Sequence, residues 1–425
     1  MSLRRTPPSD LLWQNGANAS HGRRDLEIAA LRIASHWLGF VGALALVAML
    51  AGCSDSSNNQ TIQVRTQPTP LQVQLAQPVT ASSAGWAHTC AVLADGTTSC
   101  WGGNQKGQLG NGGAALVSCV QGTSVCSDGP VTVSGTTQWT RVAGGFLYTC
   151  AIDSAGAAHC WGAGRRGQLG DGAQSGSNVP TTVSGGLVFT QLSASTGGDL
   201  ACGITGTALY CWGTGYFGQP GTGGVTQVAT VPYQVAPAQS FSAVAVGELH
   251  ACALDTTGAG YCWGANGLGQ VGDGTQTDRT LPVLVLGGHT FTQIVAGLAH
   301  TCALDAAGVA YCWGASGQIG RATATAVEQS TPGPVAGAQR FVRIAAGGWH
   351  TCGIDTSGQT YCWGDNSYSQ FGDGGNTSSQ LPVLITALPA FTQITAGGAH
   401  TCGVGATGAM YCWGANTYGQ SGRLP

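Results

Sequence analysis

Fourteen cysteines of this chain occur as seven pairs that recur about every 50 residues after two longer steps, and cysteine pairs in proteins either bind a metal or form disulfides. Zinc-binding cysteine pairs usually bracket two to four residues, whereas these bracket eight or nine. Even pairing at fixed spacing is typical of disulfides formed in an oxidising compartment. We therefore predict the disulfides Cys90–Cys100, Cys150–Cys160, Cys202–Cys211, Cys252–Cys262, Cys302–Cys312, Cys352–Cys362 and Cys402–Cys412. A further disulfide, Cys119–Cys126, is expected in an insertion after the first repeat, and Cys53 is left over.

The residues between the two cysteines of a pair predict a β-hairpin. Two short runs flank Ala306-Ala307-Gly308, a three-residue loop whose glycine suits the left-handed position. Counting outward places Cys302 opposite Cys312 at a non-hydrogen-bonded position, where Cα atoms lie about 4.5 Å apart. In the third pair the spacing shortens by one residue, but the loop also shrinks to Gly206-Thr207. The cysteines therefore keep the same register.

Each hairpin belongs to a repeat of about 50 residues, which is too short to bury a core of its own. Turn signals divide each repeat into four short strands. Seven such units sharing a core predict an all-β, seven-bladed β-propeller with four-stranded antiparallel blades. The last repeat stops where its proline-led strand should begin, and residues 70–83 align with that missing part. We expect these N-terminal strands to pair with the last blade and close the ring.

The N-terminus has the features of an export signal. An apolar run of about 15 residues follows several arginines. It ends in Leu50-Ala51-Gly52-Cys53, which resembles the bacterial lipobox, whose cysteine becomes lipidated. We expect a signal peptide at 1–52, a flexible tether at 53–69 and the propeller at 70–425. The alternative is an ordinary signal peptide or anchor that contains a cysteine.

A lipid anchor at Cys53 would place the protein in the cell envelope, in the outer membrane or at the cell surface rather than in the inner membrane. Ser54 after that cysteine resembles outer-membrane sorting in enteric bacteria. Several acyl chains on one residue give stable attachment to a membrane. We expect a monomer.

Composition argues against two classes of function. After Cys53 the chain has 10 basic and 15 acidic side chains, so it lacks the cationic surface that nucleic-acid binding requires. It also offers no catalytic-looking serine, paired glutamates or free thiol. We expect no enzymatic activity and no cofactor. Activity as a lyase or glycosidase is the least favoured of the functional hypotheses.

Histidines recur two residues before the first cysteine of five pairs, and such a ring could bind a metal. They are His88, His250, His300, His350 and His400. No acidic or cysteine partner recurs beside them. We therefore expect each histidine to pack against the next blade and hydrogen-bond its backbone, and we expect no metal site.

The repeat resembles the regulator of chromosome condensation repeat. The resemblance is carried by residues 296–304 (AGLAHTCAL), 311–314 (YCWG) and 167–172 (GQLGDG). It covers nearly all of the chain beyond residue 69 and implies a seven-bladed propeller. The founder of that family is a nuclear exchange factor, a role that the lipobox and disulfides exclude here. A secreted bacterial propeller of similar sequence style inhibits β-lactamases, which makes inhibition of an extracellular enzyme the alternative function.

The positions where the repeat varies are the candidates for function. Two variable pairs occur in each repeat, one after the glycine that precedes the histidine and one in the Trp-Gly-x-Asn-x-x-Gly segment. Both should emerge at the same end of every blade. Aromatic and arginine residues there are typical of binding hot spots, so we predict a face that binds a protein or an envelope polymer. The predicted face consists of Trp86, Phe146, Arg165, Arg166, Tyr216, Phe217, Glu248, Trp349, Tyr368 and Tyr418.

Overall fold

Seven four-stranded antiparallel sheets account for the strands of the computed structural model, which describes residues 65–113, 125–225, 227–321, 329–386 and 388–422. These residues belong to one compact unit, Gln63–Pro425. The predicted signal peptide, Cys53 and Cys119 lie outside the described residues. In the part of the chain that the structure describes, no helix is long and apolar enough to cross a membrane.

Every sheet is one blade of the propeller, and we number the blades 1 to 7 from the first complete hairpin. The innermost strands, which contact one another around the axis, are β2 (Val79–Ala84), β6 (Trp139–Gly144), β10 (Gln191–Ala194), β14 (Phe241–Val246), β18 (Phe291–Ala296), β22 (Phe341–Ala346) and β26 (Phe391–Ala396). The second strands are β3 (His88–Leu93), β7 (Tyr148–Asp153), β11 (Asp199–Thr205), β15 (His250–Asp255), β19 (His300–Asp305), β23 (His350–Asp355) and β27 (His400–Gly405).

The remaining two strands of each blade lie further from the axis. The third strands are β4 (Thr98–Gly103), β8 (Ala158–Gly162), β12 (Ala208–Gly215), β16 (Gly260–Gly264), β20 (Ala310–Gly314), β24 (Thr360–Gly364) and β28 (Met410–Ala415). The outer strands are β5 (Cys126–Thr132), β9 (Ser177–Thr182), β13 (Gln227–Val235), β17 (Arg279–Leu284), β21 (Gln329–Pro334), β25 (Ser379–Ile385) and, for blade 7, β1 (Thr66–Gln72). One turn of 3₁₀ helix, Ser316–Gln318, is present in blade 5.

The ring is closed by one N-terminal strand. Strand β1 pairs with β28, with Thr66 opposite Ala415 and Gln72 opposite Tyr411. The expectation that residues 70–83 supply two strands to the last blade was wrong for the second one, because β2 is the innermost strand of blade 1. Blade 7 already has its own innermost strand, β26, and lacks only the outer one. Strand β1 also begins four residues before the predicted domain boundary at residue 70.

The seven cysteine pairs join the second and third strands of each blade. Their S–S distances are 2.07 to 2.12 Å and their Cα atoms lie 4.0 to 4.1 Å apart. In blade 3 Cys202 lies opposite Cys211 although the hairpin is one residue shorter, because Thr205 pairs directly with Ala208. The register therefore follows the turn, as predicted. Cys126 is disulfide-bonded, and its pairing with Cys119 remains a prediction.

Seven fully buried tryptophans, one per blade, form the contacts between neighbouring blades. Each donates its Nε1–H to a glutamine carbonyl of the preceding blade, at 2.7 to 3.2 Å. A glycine lies close to the indole: a Cβ at Gly272, whose φ is +78°, would lie 2.6 Å from the Nε1 atom of Trp313. The tryptophans thus hold the blades together through both packing and hydrogen bonds.

A histidine–threonine hydrogen bond accompanies the tryptophan at five interfaces. The histidine Nε2 lies 2.8 Å from a threonine Oγ1 of the next blade in His88–Thr149, His250–Thr301, His300–Thr351, His350–Thr401 and His400–Thr89. The predicted packing against the next blade is observed, but the partner is a side-chain hydroxyl rather than the backbone. A backbone partner occurs only where Tyr148 replaces histidine, and its hydroxyl donates to the carbonyl of Leu200.

The tautomer of these histidines follows from the threonine. The Thr301 hydroxyl lies 2.8 Å from the carbonyl oxygen of Gln270, which can only accept, so the hydroxyl donates there. Its oxygen therefore accepts the Nε2–H of His250. Burial lowers the pKa of His88 to about 4 and that of the other four to about 3, with neighbouring histidines adding to the effect at three of them. All five are neutral near pH 7.

Candidate functional site

Both sets of variable loops lie at the same end of every blade. The first set, which we call the inner turns, joins the innermost strand to the second strand. The second set, the outer loops, joins the third strand to the outer strand. In blade 1 the backbone N–H of Gly103 donates to the carbonyl of Ala87 at 2.8 Å. In blade 6 the backbone N–H of Asp365 donates to the carbonyl of Trp349 at 2.9 Å. These bonds tie each outer loop to its inner turn, and we call the surface they form the variable face.

The inner turns are linked to one another around the axis. The N–H of Trp86 donates to the carbonyl of Gly145 in blade 2, and the N–H of Glu248 donates to that of Gly297 in blade 5. The N–H of Gly398 donates to the carbonyl of Gly85, which continues the pattern from blade 7 to blade 1. Backbone hydrogen bonds therefore connect the inner turns of neighbouring blades beneath the variable side chains.

A glutamine in each of six outer loops fixes the second variable residue. Its side-chain carbonyl accepts the backbone N–H two positions earlier, at 2.7 to 2.9 Å. The pairs are Lys106–Gln108, Arg166–Gln168, Phe217–Gln219, Leu268–Gln270, Tyr368–Gln370 and Tyr418–Gln420. Reasoning from the sequence missed this role, although the glutamine recurs at one fixed position. Its side chain holds the loop, and its backbone carbonyl accepts the indole N–H of the tryptophan in the next blade.

An asparagine at the start of the outer loop completes this support. The Oδ1 of Asn104 accepts the N–H of Leu109 at 2.9 Å, and Asn366 does the same for Phe371. Side chains at the variable positions are thus presented by loops whose backbone groups are already bonded, which lowers the entropic cost of binding a partner.

The predicted face residues are mostly half-buried. Arg165 is exposed, and the other nine are partly buried. Trp86 and Phe146, on neighbouring blades, contact each other edge to face with ring centroids 5.7 Å apart. The Trp86 indole also lies against Gly398 of blade 7. Three consecutive blades therefore meet at one aromatic cluster.

A second cluster joins blades 2 and 3. The Arg166 guanidinium lies 5.3 Å from the centre of the Tyr216 ring and also bonds the Tyr216 hydroxyl. Its Nε is 3.4 Å from Oδ2 of Asp199, whose Oδ1 accepts from Gln168 at 3.0 Å. Asp199 was not among the predicted face residues, although it occupies a variable inner-turn position. It neutralises Arg166 and holds it over the tyrosine.

The remaining predicted residues are distributed around the ring. Glu248 packs against Gly197 of blade 3. Trp349 and Tyr368 share blade 6, where burial and then the charge of Asp365 raise the pKa of Tyr368 above its usual value. Tyr418 follows in blade 7. The structure thus places all ten residues on one face, distributed over blades 1 to 4, 6 and 7.

The aspartates at the opposite, hairpin end of the blades serve their own turns. The Oδ1 of Asp305 accepts the N–H groups of Ala307 and Val309 at 2.9 and 2.8 Å. Asp255 is bonded in the same way by Thr257 and Ala259. Within the described ranges, no group of three or more His, Cys, Asp or Glu side chains could hold a metal ion.

Comparison with known families identifies the repeat. Two models of the regulator of chromosome condensation (RCC1) repeat match, one at residues 155–204, 257–304, 307–354 and 357–404. The other matches residues 79–108, 241–270, 291–318, 341–370 and 391–420, so that together they cover more than half of the chain. The chain belongs to the RCC1 repeat family.

RCC1-repeat relatives differ widely in length. The ultraviolet-B receptor UVR8 of Arabidopsis thaliana is 30% identical over 231 residues, which are 50% of this chain and 47% of that receptor. The human E3 ubiquitin-protein ligase HERC2 is 29% identical over 202 residues, 45% of this chain and 4% of the ligase. The chain therefore spans less than half the length of these relatives.

Solved structures with the same fold include two that cover most of this chain. Human WBSCR16 matches with a TM-score of 0.71 and 20% identity, covering 82% of this chain and 90% of that one. Yeast RCC1 (Prp20), solved bound to Kap60, matches with a TM-score of 0.64 and 19% identity, covering 79% of each chain. At this level of identity the likeness concerns the fold alone.

Proposed function

We propose that this protein is a protein-binding module that engages its partner through the variable face. The observation that carries the proposal is the Trp86–Phe146 contact, an aromatic cluster presented between three blades by loops whose backbone is already hydrogen-bonded. Half-buried aromatic and arginine side chains on a rigid support are typical of interface hot spots. Protein binding is also a property of the family: yeast RCC1 (Prp20) was solved bound to Kap60.

Three alanine substitutions test the proposal. Trp86→Ala, Phe146→Ala and Trp349→Ala should each weaken capture of the partner by about 2 kcal/mol or more, with the unfolding transition little changed. Partners are first identified by affinity capture and mass spectrometry, comparing the parent chain with the triple variant. Tyr233→Ala is the matched control, because Tyr233 is 47% exposed but lies on outer strand β13. If the three variants capture the same partners as strongly as the parent, the face is wrongly assigned.

The class of the captured partner separates this proposal from its alternatives. A partner that is a secreted hydrolase, inhibited at one-to-one stoichiometry, would favour the inhibitor function. A partner fraction that resists protease but loses binding after glycan cleavage would identify an envelope polymer instead.

We also propose that the protein is held in a bacterial cell envelope by a lipid on Cys53 and acts there as a monomer. Support comes from the lipobox-like Leu50-Ala51-Gly52-Cys53. The carbonyl of Arg65 accepts the N–H of Asn416 at 2.7 Å, so the chain enters the propeller at the variable face. Eleven residues lie between Cys53 and Arg65, so the Cα atoms of these two residues can be at most about 40 Å apart. An anchor at Cys53 would therefore keep the variable face near the membrane.

Mass analysis of the N-terminal peptide tests the anchor. The mature chain should begin at an acylated Cys53, and Cys53→Ala should release the protein from the membrane fraction. An unmodified N-terminus elsewhere would contradict the anchor without affecting the assignment of the face.

A further inference from the structure

Blades 1 and 2 carry the same two features on the variable face. Each has an aromatic residue on its inner turn and an exposed cation on its outer loop: Trp86 with Lys106, and Phe146 with Arg165. In blade 2 the turn and loop are joined by the N–H of Ala163, which donates to Leu147 at 2.9 Å, as Gly103 does to Ala87 in blade 1. The two aromatic rings touch, so the two blades form one continuous surface. We call Trp86, Phe146, Lys106 and Arg165 the basic–aromatic sector.

The cations of this sector are free to meet a partner. Lys106 and Arg165 are both exposed, and neither has an ion-pair partner among the described residues. Arg166, the next residue, is instead neutralised by Asp199. Two exposed cations thus lie on the outer loops of the two blades whose inner turns carry the aromatic pair.

The rest of the variable face has the opposite character. At four of the other five blades the pairs at the same outer-loop positions contain no cation: they are Tyr216-Phe217, Gly267-Leu268, Ser367-Tyr368 and Thr417-Tyr418. The outer loop of blade 5 contains Arg321, which is partly buried and donates to the carbonyl of Cys312 at 2.6 Å. The inner turns of blades 3 and 4 carry the carboxylates Asp199 and Glu248, and blade 6 carries Asp365. This chain is acidic overall, with a formal net charge of −3. Among the described residues of the variable face, the exposed cations are therefore Lys106 and Arg165, on the two blades that carry the aromatic pair, whereas Arg65 and Arg321 are partly buried.

We propose that the basic–aromatic sector binds an acidic peptide segment of the partner, with an apolar side chain against Trp86 and Phe146 and carboxylates beside Lys106 and Arg165. The proposal rests on the proposed function of the variable face and names the chemistry of its ligand. Complementary charges at the rim set the rate and specificity of association, while the central aromatic contact supplies the affinity. The Asp365 carboxylate on blade 6 would repel an acidic segment from that part of the face, whereas Asp199 on blade 3 is neutralised by Arg166.

A charge-swap experiment tests the ligand class. The probe is a fluorescent synthetic peptide with glutamates on both sides of a central phenylalanine and leucine, titrated into the full chain at low and high salt. Binding should weaken as salt rises. Lys106→Glu combined with Arg165→Glu should lower the affinity at low salt by about tenfold or more. The same double variant should bind the peptide with lysines in place of glutamates more tightly than the parent chain does.

Arg340→Glu combined with Arg343→Glu is the matched control, because both arginines are exposed and Arg340 adjoins the hairpin end, where its carbonyl accepts the N–H of Thr356. It makes the same change in net charge away from the sector and should leave the affinity unchanged. Absence of peptide binding, an equal loss in the control, or failure of the charge swap would overturn the proposal. Preferential competition by polyphosphate would also overturn it, since the ligand would then be a phosphate polymer.

The test separates this inference from the proposal on which it rests. Capture of a protein partner that depends on Trp86 but not on Lys106 or Arg165 would reject the acidic ligand and keep the face. Capture that depends neither on Trp86 nor on Lys106 and Arg165 would reject the variable face as well.

Discussion

The interfaces between blades are of two kinds. Five carry a buried histidine–threonine bond, whereas the interfaces between blades 2 and 3 and between blades 3 and 4 carry none. At the second of these, Leu200 stands in place of the histidine and Ala251 in place of the threonine. At the first, Tyr148 faces a blade in which Ala201 replaces the threonine. Histidine and threonine are therefore replaced together, as expected if each is present for the other.

One fold therefore accommodates two kinds of buried contact between blades. A buried polar group destabilises the fold unless it is hydrogen-bonded, so a buried histidine or threonine without its partner costs more stability than two apolar residues in their place. The apolar combination of Leu200 and Ala251 avoids that cost, and the tyrosine solves it differently by bonding the Leu200 carbonyl. Blades 2, 3 and 4 are thus joined without a titratable histidine.

Acid should produce the largest effect on this comparison. The histidines have a pKa of about 3 to 4 in the folded protein and about 6.5 when unfolded. Because the unfolded chain binds more protons, the free energy of unfolding is greatest above pH 6.5 and falls as the pH decreases towards 4. At pH 5 the loss is about 2 kcal/mol per histidine. Urea unfolding at pH 7 and pH 5 measures it, and hydrogen exchange at pH 5 should show that blades 2 to 4 keep their protection longest.

Carboxylates set the lower limit of the informative pH range. At Asp255 burial raises the pKa, but bonds from Thr257 and the turn outweigh it and lower the pKa below its usual value. Such groups lose their stabilising effect only as the pH falls below about 4. An equal loss of protection in all seven blades between pH 6.5 and 4.5 would show that the histidines do not determine the acid response.

A double-mutant cycle on one pair should give the next largest effect. His250→Leu leaves the Thr301 oxygen without its donor, and Thr301→Ala leaves the His250 Nε2–H without its acceptor. Each single change should cost about 2 to 3 kcal/mol. The double variant reproduces the natural Leu200–Ala251 combination and should cost less than the sum by about 1 kcal/mol or more. Additive losses, measured by urea unfolding at pH 7, would mean that the two side chains act independently.

How much the sequence could predict depends on how local the interaction is. The disulfide register follows from turn residues between the two cysteines, such as Gly308, and was predicted correctly even in the shortened third hairpin. The partner of a histidine could not be read from its own repeat, because Thr149 lies 61 residues beyond His88. The signal was nevertheless present, since Leu200 and Ala251 depart from the repeat in consecutive copies.

The ring closure and the binding face show the same limit. The truncated last repeat indicated that N-terminal residues must complete blade 7, but alignment alone did not say that β2 begins a new blade. Variable positions were placed on the correct end by strand direction. The salt bridge between Arg166 and Asp199 was not predicted, because it depends on which side chains meet across two blades.

Tyr148→Phe tests the interface that uses a tyrosine. Burial, and then the charge of Asp199, raises the pKa of Tyr148 well above its usual value, so the hydroxyl stays protonated and donates to Leu200. Removing it should cost about 1 to 2 kcal/mol by leaving a buried carbonyl with one donor fewer. Unlike His250→Leu, this change should leave the acid dependence between pH 6.5 and 4.5 unaltered, as measured by unfolding at several pH values. A flattened acid profile would show that Tyr148 is coupled to the histidines.

The smallest effect is expected from building the missing bond into the interface between blades 3 and 4. Leu200→His alone places a buried Nε2–H opposite Ala251 and should destabilise the protein. Adding Ala251→Thr supplies a hydroxyl next to the backbone carbonyl of Gln219, which already accepts the indole N–H of Trp263 at 2.7 Å. The equivalent backbone carbonyl of Gln270 accepts both the Thr301 hydroxyl and the Trp313 indole N–H of blade 5. The pair should therefore recover about 1 kcal/mol at pH 7 and make this interface as acid-sensitive as the other five. Two outcomes would contradict this: a double variant no more stable than Leu200→Ala with Ala251→Thr, or one that gains no acid sensitivity. The histidine–threonine bond would then not be sufficient by itself, and its contribution at the other interfaces would depend on the residues around it.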